Sequence, residues 1–239
     1  MEVSAMRRYV FAAMLAGVAL IGAGTVPAQD YPHAFPRTGA TLLFENDRII
    51  LWEVNWIHGV KQPIHRHRYD MAGVYLRFGP ITVTTPDGKA ASGQPFEVPR
   101  PYFQVKGITH REEAMGQPGD PERLAIMIDL KDGPAPRPLA PGGPPPQFPR
   151  PGATKVLENE RVRMWDYTWT DQATEFHTHD TDTVEVFFTP GAIRATTPRG
   201  GQEVSPVLFK TARFVARGKV DREEAIQGTP RAIIVELLR

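Results

Sequence analysis

The chain repeats itself, and that constrains its folding more than any other feature of its 239 residues. Gly39-Ala-Thr-Leu-Leu-Phe-Glu45-Asn46-Asp-Arg48 returns 113 positions later as Gly152-Ala-Thr-Lys-Val-Leu-Glu158-Asn159-Glu-Arg161. At the same spacing Trp52-Glu-Val-Asn-Trp56 returns as Trp165-Asp-Tyr-Thr-Trp169. His65-Arg-His67 returns as His177-Thr-His179, and Thr84-Thr-Pro86 as Thr196-Thr-Pro198. Last, Gly107-Ile-Thr-His110-Arg-Glu-Glu-Ala114 returns as Gly218-Lys-Val-Asp221-Arg-Glu-Glu-Ala225. Landmarks kept in one order with almost no drift imply two homologous domains, expected over residues 37–131 and 151–239. The intervening segment, 132–150, is a Pro-rich linker: Gly133 to Gly152 holds nine prolines. Such a stretch has no packed core of its own and should run as a semi-rigid spacer over the surface, a proline-rich ligand for another protein being the rival use.

Within each repeat the local signals are β. Ile49–Trp56 is rich in branched and aromatic residues, with Trp52, Val54 and Trp56 on one face at period two. The paired tryptophans read as packing rather than as a ligand platform. Val74–Phe78, Ile81–Thr84, Phe103–Val105 and Ala125–Leu130 are further short runs. Asp87-Gly88 and Arg199-Gly200-Gly201 are hairpin turns in corresponding places. No window after the N-terminus carries an amphipathic helix, so the fold class is all-β, an antiparallel sandwich or small barrel in each half.

Residues 1–28 read as a signal peptide. Arg7 and Arg8 precede an apolar run from Tyr9 to Val26, and Val26-Pro27-Ala28 offers small residues before Gln29. A retained membrane anchor is the alternative, and the arginine pair leaves both general secretion and twin-arginine export open. The expected location is periplasmic or secreted, with no stable membrane span after cleavage. Removing Glu2, Arg7 and Arg8 with the signal leaves a chain of no net formal charge, which gives no footprint for nucleic acid. The chain has no cysteine, so disulfides, thiolate zinc sites and a Cys nucleophile are excluded. No Ser–His–acid trio, phosphate-cradling glycine loop or nucleotide fingerprint is present.

Any metal must therefore be held by His and carboxylates. His65 and His67, two apart on an extended segment, point to one face, where their imidazoles can converge on an ion. His110, after Gly107 at the start of another short strand, is the candidate third ligand. The second repeat keeps His177 and His179 but has Asp221 in place of His110, which leaves a two-His, one-Asp metal site or a decayed, structural domain.

This pattern resembles the cupin superfamily, and the bicupins in particular, in which two jelly-roll barrels follow one another. The family's first motif matches Gly59, His65, His67 and Gly79, and its second matches Gly107 and His110. The resemblance covers both repeats and implies two tandem cupin-type jelly-roll β-barrels. The motif glutamate falls at Ala72 and Val184, so neither repeat has it, and the second motif has Val105 and Ala114 for its proline and asparagine. Asp70, three residues after His67, could serve as a fourth ligand or cap a turn; Asp182 is its counterpart. Glu185, one residue off the motif position, should point away from the site in a regular strand.

A three-His centre leaves a divalent cation with open positions and suits an anionic or enolisable substrate. Imidazole ligands alone do not choose among Fe(II), the first expectation, and Mn, Ni, Cu or Zn, with one metal per chain. The resemblance implies dioxygenase-like chemistry on a small enolic, carboxylate or aromatic diol substrate. A redox-neutral isomerase, lyase or decarboxylase, or a non-catalytic small-ligand-binding protein, is the alternative. Glu112, two residues past His110, is the candidate proton-transfer group, with a structural ion pair as its rival role because Arg-Glu-Glu recurs in both repeats. Tyr69 or Tyr75 could hydrogen-bond the substrate. The chain is expected to be a monomer with its barrels paired intramolecularly, or a homodimer.

Overall fold

In the computed structural model, residues 30–239 are described except 135, 136 and 138. Residues 1–28, where a signal peptide is expected, lie outside the described residues. Those described contain strands and no helix, and none therefore forms a helix long and apolar enough to cross a membrane.

The first repeat forms β1 (Ala40–Glu45), β2 (Ile49–Asn55), β3 (His65–Arg66), β4 (Asp70–Arg77), β5 (Ile81–Thr84), β6 (Ala90–Ser92), β7 (Arg100–Gln104), β8 (Thr109–Ala114) and β9 (Leu124–Leu130). They make a five-stranded sheet, β1-β2-β9-β4-β7, and a four-stranded sheet, β3-β8-β5-β6. The second repeat forms β10 (Thr154–Glu158), β11 (Val162–Thr168), β12 (His177–Thr178), β13 (Asp182–Thr196), β14 (Gln202–Val207), β15 (Ala212–Val215) and β16 (Val220–Leu237). Here β13 and β16 each run unbroken through what are two strands in the first repeat. The break in the first repeat follows from a longer connection, Met115–Arg123, between β8 and β9. It passes so close to Gly79 that a Cβ there would sit 2.3 Å from the Arg123 nitrogen, which accounts for the glycine. The turns at Gly88 and Gly200 close as expected, each glycine at positive φ.

The large sheets are apolar on both faces, and alternation decides which residue goes where. Trp52, Val54, Met71, Tyr75, Ala125 and Met127 face the interior of the first barrel. Their neighbours Ile49, Leu51, Ala72, Val74, Ile126 and Ile128 face the other way and pack on Met164, Val184, Val186, Ile233 and Val235 of the second. Trp165, Tyr167, Trp169 and Phe187 fill the second interior. The barrels are thus paired face to face within one chain, and residues 31–239 form one compact unit.

The pairing is two-fold in character. Arg48 of the first repeat binds Asp182 of the second, and Arg161, the equivalent of Arg48, binds Asp70 at 2.6 Å. Each arginine also donates to a carbonyl at the end of the opposite barrel's last strand, Leu237 or Leu130. Phe44 stacks on Phe214 across the same seam. This corrects the reading of Asp70. Its Oδ1 accepts from the amide of Lys106, in the turn before β8, at 2.9 Å and its Oδ2 from Arg161, so it does not join the histidines but caps a turn and ties the seam. Asp70 shares a face of β4 with Ala72, two residues on, and that face looks toward the second barrel rather than toward the histidines.

Residues 145–148 of the linker lie along the second barrel. Pro145 and Gln147 exchange backbone hydrogen bonds with Thr178 on the edge of β12, and Phe148 is buried against Trp165 and Tyr167. Breaking the ion pair at the seam leaves one charge partly buried without a partner. A double-mutant cycle of Asp70→Asn and Arg161→Met in urea unfolding should therefore return a coupling of about 0.5–3 kcal/mol, and Asp182→Asn with Arg48→Met a similar one.

Candidate metal centre

Strand β3 pairs antiparallel with β8 so that His65 lies directly opposite His110. The pairing continues to His67, whose backbone bonds to Gly107 and Ile108, so all three rings project from one small patch of sheet. They are buried, with ring centroids 5.0–5.2 Å apart. One nitrogen from each lies within 4.8 Å of the others, a group able to hold a metal ion. His67 Nε2 faces His110 Nε2 at 3.3 Å. The His65 Nδ1 donates to the Pro63 carbonyl at 3.0 Å, which leaves its buried Nε2 as a lone pair with no hydrogen-bond partner. An anchored Nδ1–H with a bare Nε2 is the arrangement of a metal-ligating imidazole, and the three residues fit a divalent cation. Burial pushes His67 down to about 3 and lowers His65 as well, with the neighbouring rings adding to the effect, so both offer neutral nitrogens at physiological pH.

Glu112 closes the rim. Its oxygens lie 3.4 Å from His65 Nε2 and His110 Nε2, while Oε2 accepts from Arg37 Nη1 at 2.7 Å. Burial alone would raise its carboxyl, but Arg37 and His110 outweigh burial and hold it well below the usual carboxylate range. Glu112 thus combines the two roles weighed for it, facing the histidines while ion-paired, and it stays ionised.

Beside the trio is a cavity of about 110 Å³ whose lining includes His67, His110, Glu112, Arg37, Arg123 and Tyr75. Tyr75 is pushed up to about 12 by burial and remains protonated. Tyr69 instead packs edge-on against His33 and does not line the cavity. Trp56 is core and cavity wall at once. Sequence reasoning missed Arg37, Gln104 and Arg123. For Arg37 a signal existed: Phe35-Pro36-Arg37 returns as Phe148-Pro149-Arg150 at the repeat spacing of 113. Arg123 ends the insertion peculiar to the first repeat, and no pattern marks it.

The second barrel brings His177, His179 and Asp221 together in the corresponding place. Asp221 Oδ1 lies 3.3 Å from both His177 Nε2 and His179 Nε2, and its Oδ2 lies 2.9 Å from the Lys219 ammonium. Burial would raise the Asp221 carboxyl, but His179 and Lys219 hold it below its ordinary range. Glu223, the counterpart of Glu112, is bound by Arg150 and by the Trp169 indole at 3.0 Å. Glu185 corrects its expected orientation. Val184 and Val186 face the other barrel, so Glu185 points into its own barrel, fully buried and paired with Arg213.

No family model matches the sequence, and no curated protein matches it either. Solved structures do resemble it. AerE from Microcystis aeruginosa aligns with a TM-score of 0.55 at 9% identity, covering 88% of this chain and 99% of that one. Oxalate decarboxylase of Bacillus subtilis, a protein with Mn(II) centres, aligns at 0.51 and 10% identity, covering 80% and 69%. A cupin domain from Bordetella pertussis is 25% identical over 44% of this chain and all of its own, with a TM-score of 0.34. The fold is the cupin fold in its two-barrel form: two tandem jelly rolls, each with a His-rich group able to hold a metal.

With His67 buried neutral, the unfolded chain binds a proton between pH 6.5 and about 3 that the folded chain refuses. The stability of chelator-treated protein should therefore fall as pH drops through that window, by up to about 1.4 kcal/mol per pH unit from this residue. Urea unfolding at pH 7.5, 6 and 5 checks this, and His67→Gln should flatten the dependence.

Proposed function

We propose that the chain is an exported, metal-dependent bicupin enzyme that works in its first barrel on a small enolic or carboxylate substrate, with dioxygenase-like turnover. The observation that carries this reading is the convergence of three buried imidazoles on one point beside an ionised Glu112, with His67, His110 and Glu112 on the wall of one cavity. His65, His67 and His110 would hold the cation, with Glu112 the nearest carboxylate. A bound divalent ion would supply Lewis-acid polarisation of a substrate oxygen, and Fe(II) or Mn(II) suits this ligand set.

The chain's own residues do the rest. Pro63 fixes the tautomer of His65 through its carbonyl. Arg37 holds Glu112 in place and keeps it charged, so this carboxylate supplies negative charge to the centre and is too weak a base to take a proton near neutrality. Tyr75, protonated at the cavity wall, can donate a hydrogen bond but not accept a proton. The cavity is small, about 110 Å³, which favours a small enolic or carboxylate substrate over an aromatic diol. In the second barrel the Lys219 ammonium already supplies a cation to Asp221, which favours metal in the first barrel alone. Residues 1–28 support export, with cleavage before Gln29.

Elemental analysis of protein purified without added metal should find about one divalent ion per chain. His65→Ala, His67→Ala or His110→Ala should each empty it, and His177→Ala should leave it unchanged. Dioxygenase-like turnover should consume oxygen in step with substrate. Activity that persists under argon would move the reaction to a redox-neutral lyase or isomerase.

A further inference from the structure

The cavity beside the three histidines is lined by hydrogen-bond donors that have nothing to donate to. Among the buried side-chain atoms without a partner are Arg37 Nε, Trp56 Nε1, Gln104 Nε2 and Arg123 Nη2, and all four residues line this one cavity. Leaving a buried donor unpaired costs about 1–3 kcal/mol, so four around one space mark a missing acceptor.

Arg123 is the strongest of them. Its side chain is buried, with the residue 5% exposed, and it forms no ion pair with a carboxylate among the described residues. Its Nε is held by the Gly79 carbonyl at 2.8 Å, and its guanidinium lies 5.1–5.6 Å from the ring centres of Tyr75, Phe78 and Phe96. Aromatic faces and one carbonyl fix the direction of this cation without neutralising it. Gln104 is also pre-aimed: Tyr102 donates to its Oε1 at 2.6 Å, which leaves the amide N–H₂ as the free end. The cavity's charged lining is two guanidiniums against the single carboxylate of Glu112.

The second barrel is an internal contrast. Where the first has Gly73 and Tyr102 as cross-strand partners, the second has Glu185 and Arg213, and these neutralise each other. Arg150 is answered by Glu223, and Lys219 by Asp221. The same scaffold therefore balances the charges around its cluster in one half and leaves a positive excess on the cavity wall in the other.

We infer that the first barrel's cavity is a receptor for a compact organic carboxylate, whose oxygens accept from Arg123, Arg37, Gln104 and Trp56. Water could satisfy the donors but not the unpaired charge. An inorganic tetrahedral anion needs donors on every side, whereas Phe35, Met71, Ile81, Val83 and Met127 give this cavity an apolar wall suited to carbon. A cavity of about 110 Å³ suits a ligand of about six non-hydrogen atoms. This inference rests on the reading of the first barrel as the active site and names the class of molecule it takes.

The test is calorimetric titration of the full mature chain, loaded with Mn²⁺ and separately metal-free, with acetate, glycolate and oxalate, against acetamide and sulfate. Carboxylates should bind at least about tenfold more tightly than acetamide or sulfate. Arg123→Met should weaken carboxylate binding by about tenfold or more, and Trp56→Phe and Gln104→Leu by about three- to tenfold, with Mn²⁺ content unchanged. The two conservative variants keep the test intact should Arg123→Met fail to fold. Acetamide or sulfate binding as tightly as the carboxylates, or wild-type carboxylate affinity in the folded variants, would overturn the inference. A chain that takes no Mn²⁺ but still selects carboxylates through these donors would remove the metal reading and leave the receptor standing.

Discussion

Everything in this molecule hangs on a sheet that is apolar on both faces. A sheet closing a barrel needs one buried face; each large sheet here has a second, pressed against the sister barrel. That demand turns the usual alternation of inside and outside into an alternation of two insides. Ile126 and Ile128 look toward the partner barrel, Ala125 and Met127 toward their own. The seam buries an apolar layer from both repeats, and Arg48–Asp182 and Arg161–Asp70 fix its register at two equivalent points. Such reciprocal contacts are those of an isologous dimer, here written into one polypeptide.

With the scaffold held in common, the two interiors diverge in charge. Each keeps a buried acid two residues after the third position of its cluster, answered by an arginine from the segment entering the barrel: Arg37 to Glu112, Arg150 to Glu223. Beyond that pair they part. The second barrel adds Glu185, Arg213 and Lys219 and closes on itself electrostatically. The first replaces them with a glycine, a tyrosine and an isoleucine, opening space and leaving Arg123 without a counter-ion. A cluster whose acid already has a lysine at 2.9 Å has less need of a metal than one made of bare imidazole nitrogens.

The histidine trio was legible before any coordinates because its parts are local. His65 and His67 share a face by spacing alone, and the glycine before His110 marks the turn into the strand that returns beside them. Asp70 and Glu185 were misjudged for one reason. Both were counted from a motif position, Ala72 or Val184, taken to face the site; these residues face the partner barrel, and a single-residue error in phase sends a side chain to the opposite face. Arg37 was overlooked because the repeat was matched only from Gly39 and Gly152 onward, although Phe35-Pro36-Arg37 also returns as Phe148-Pro149-Arg150. Arg123 could not be read at all, since its position follows from how the Met115–Arg123 connection folds back over Gly79.

The sequence by itself determined the duplication, the all-β class, the absence of thiol chemistry and the three imidazoles, since each depends on composition or on neighbours a few residues apart. Tertiary structure alone decided which carboxylates face the site, which arginines stay unpaired and which faces the two barrels share. Those outcomes are set by which sheet a strand joins and by what packs across it, and residues distant in the chain supply both.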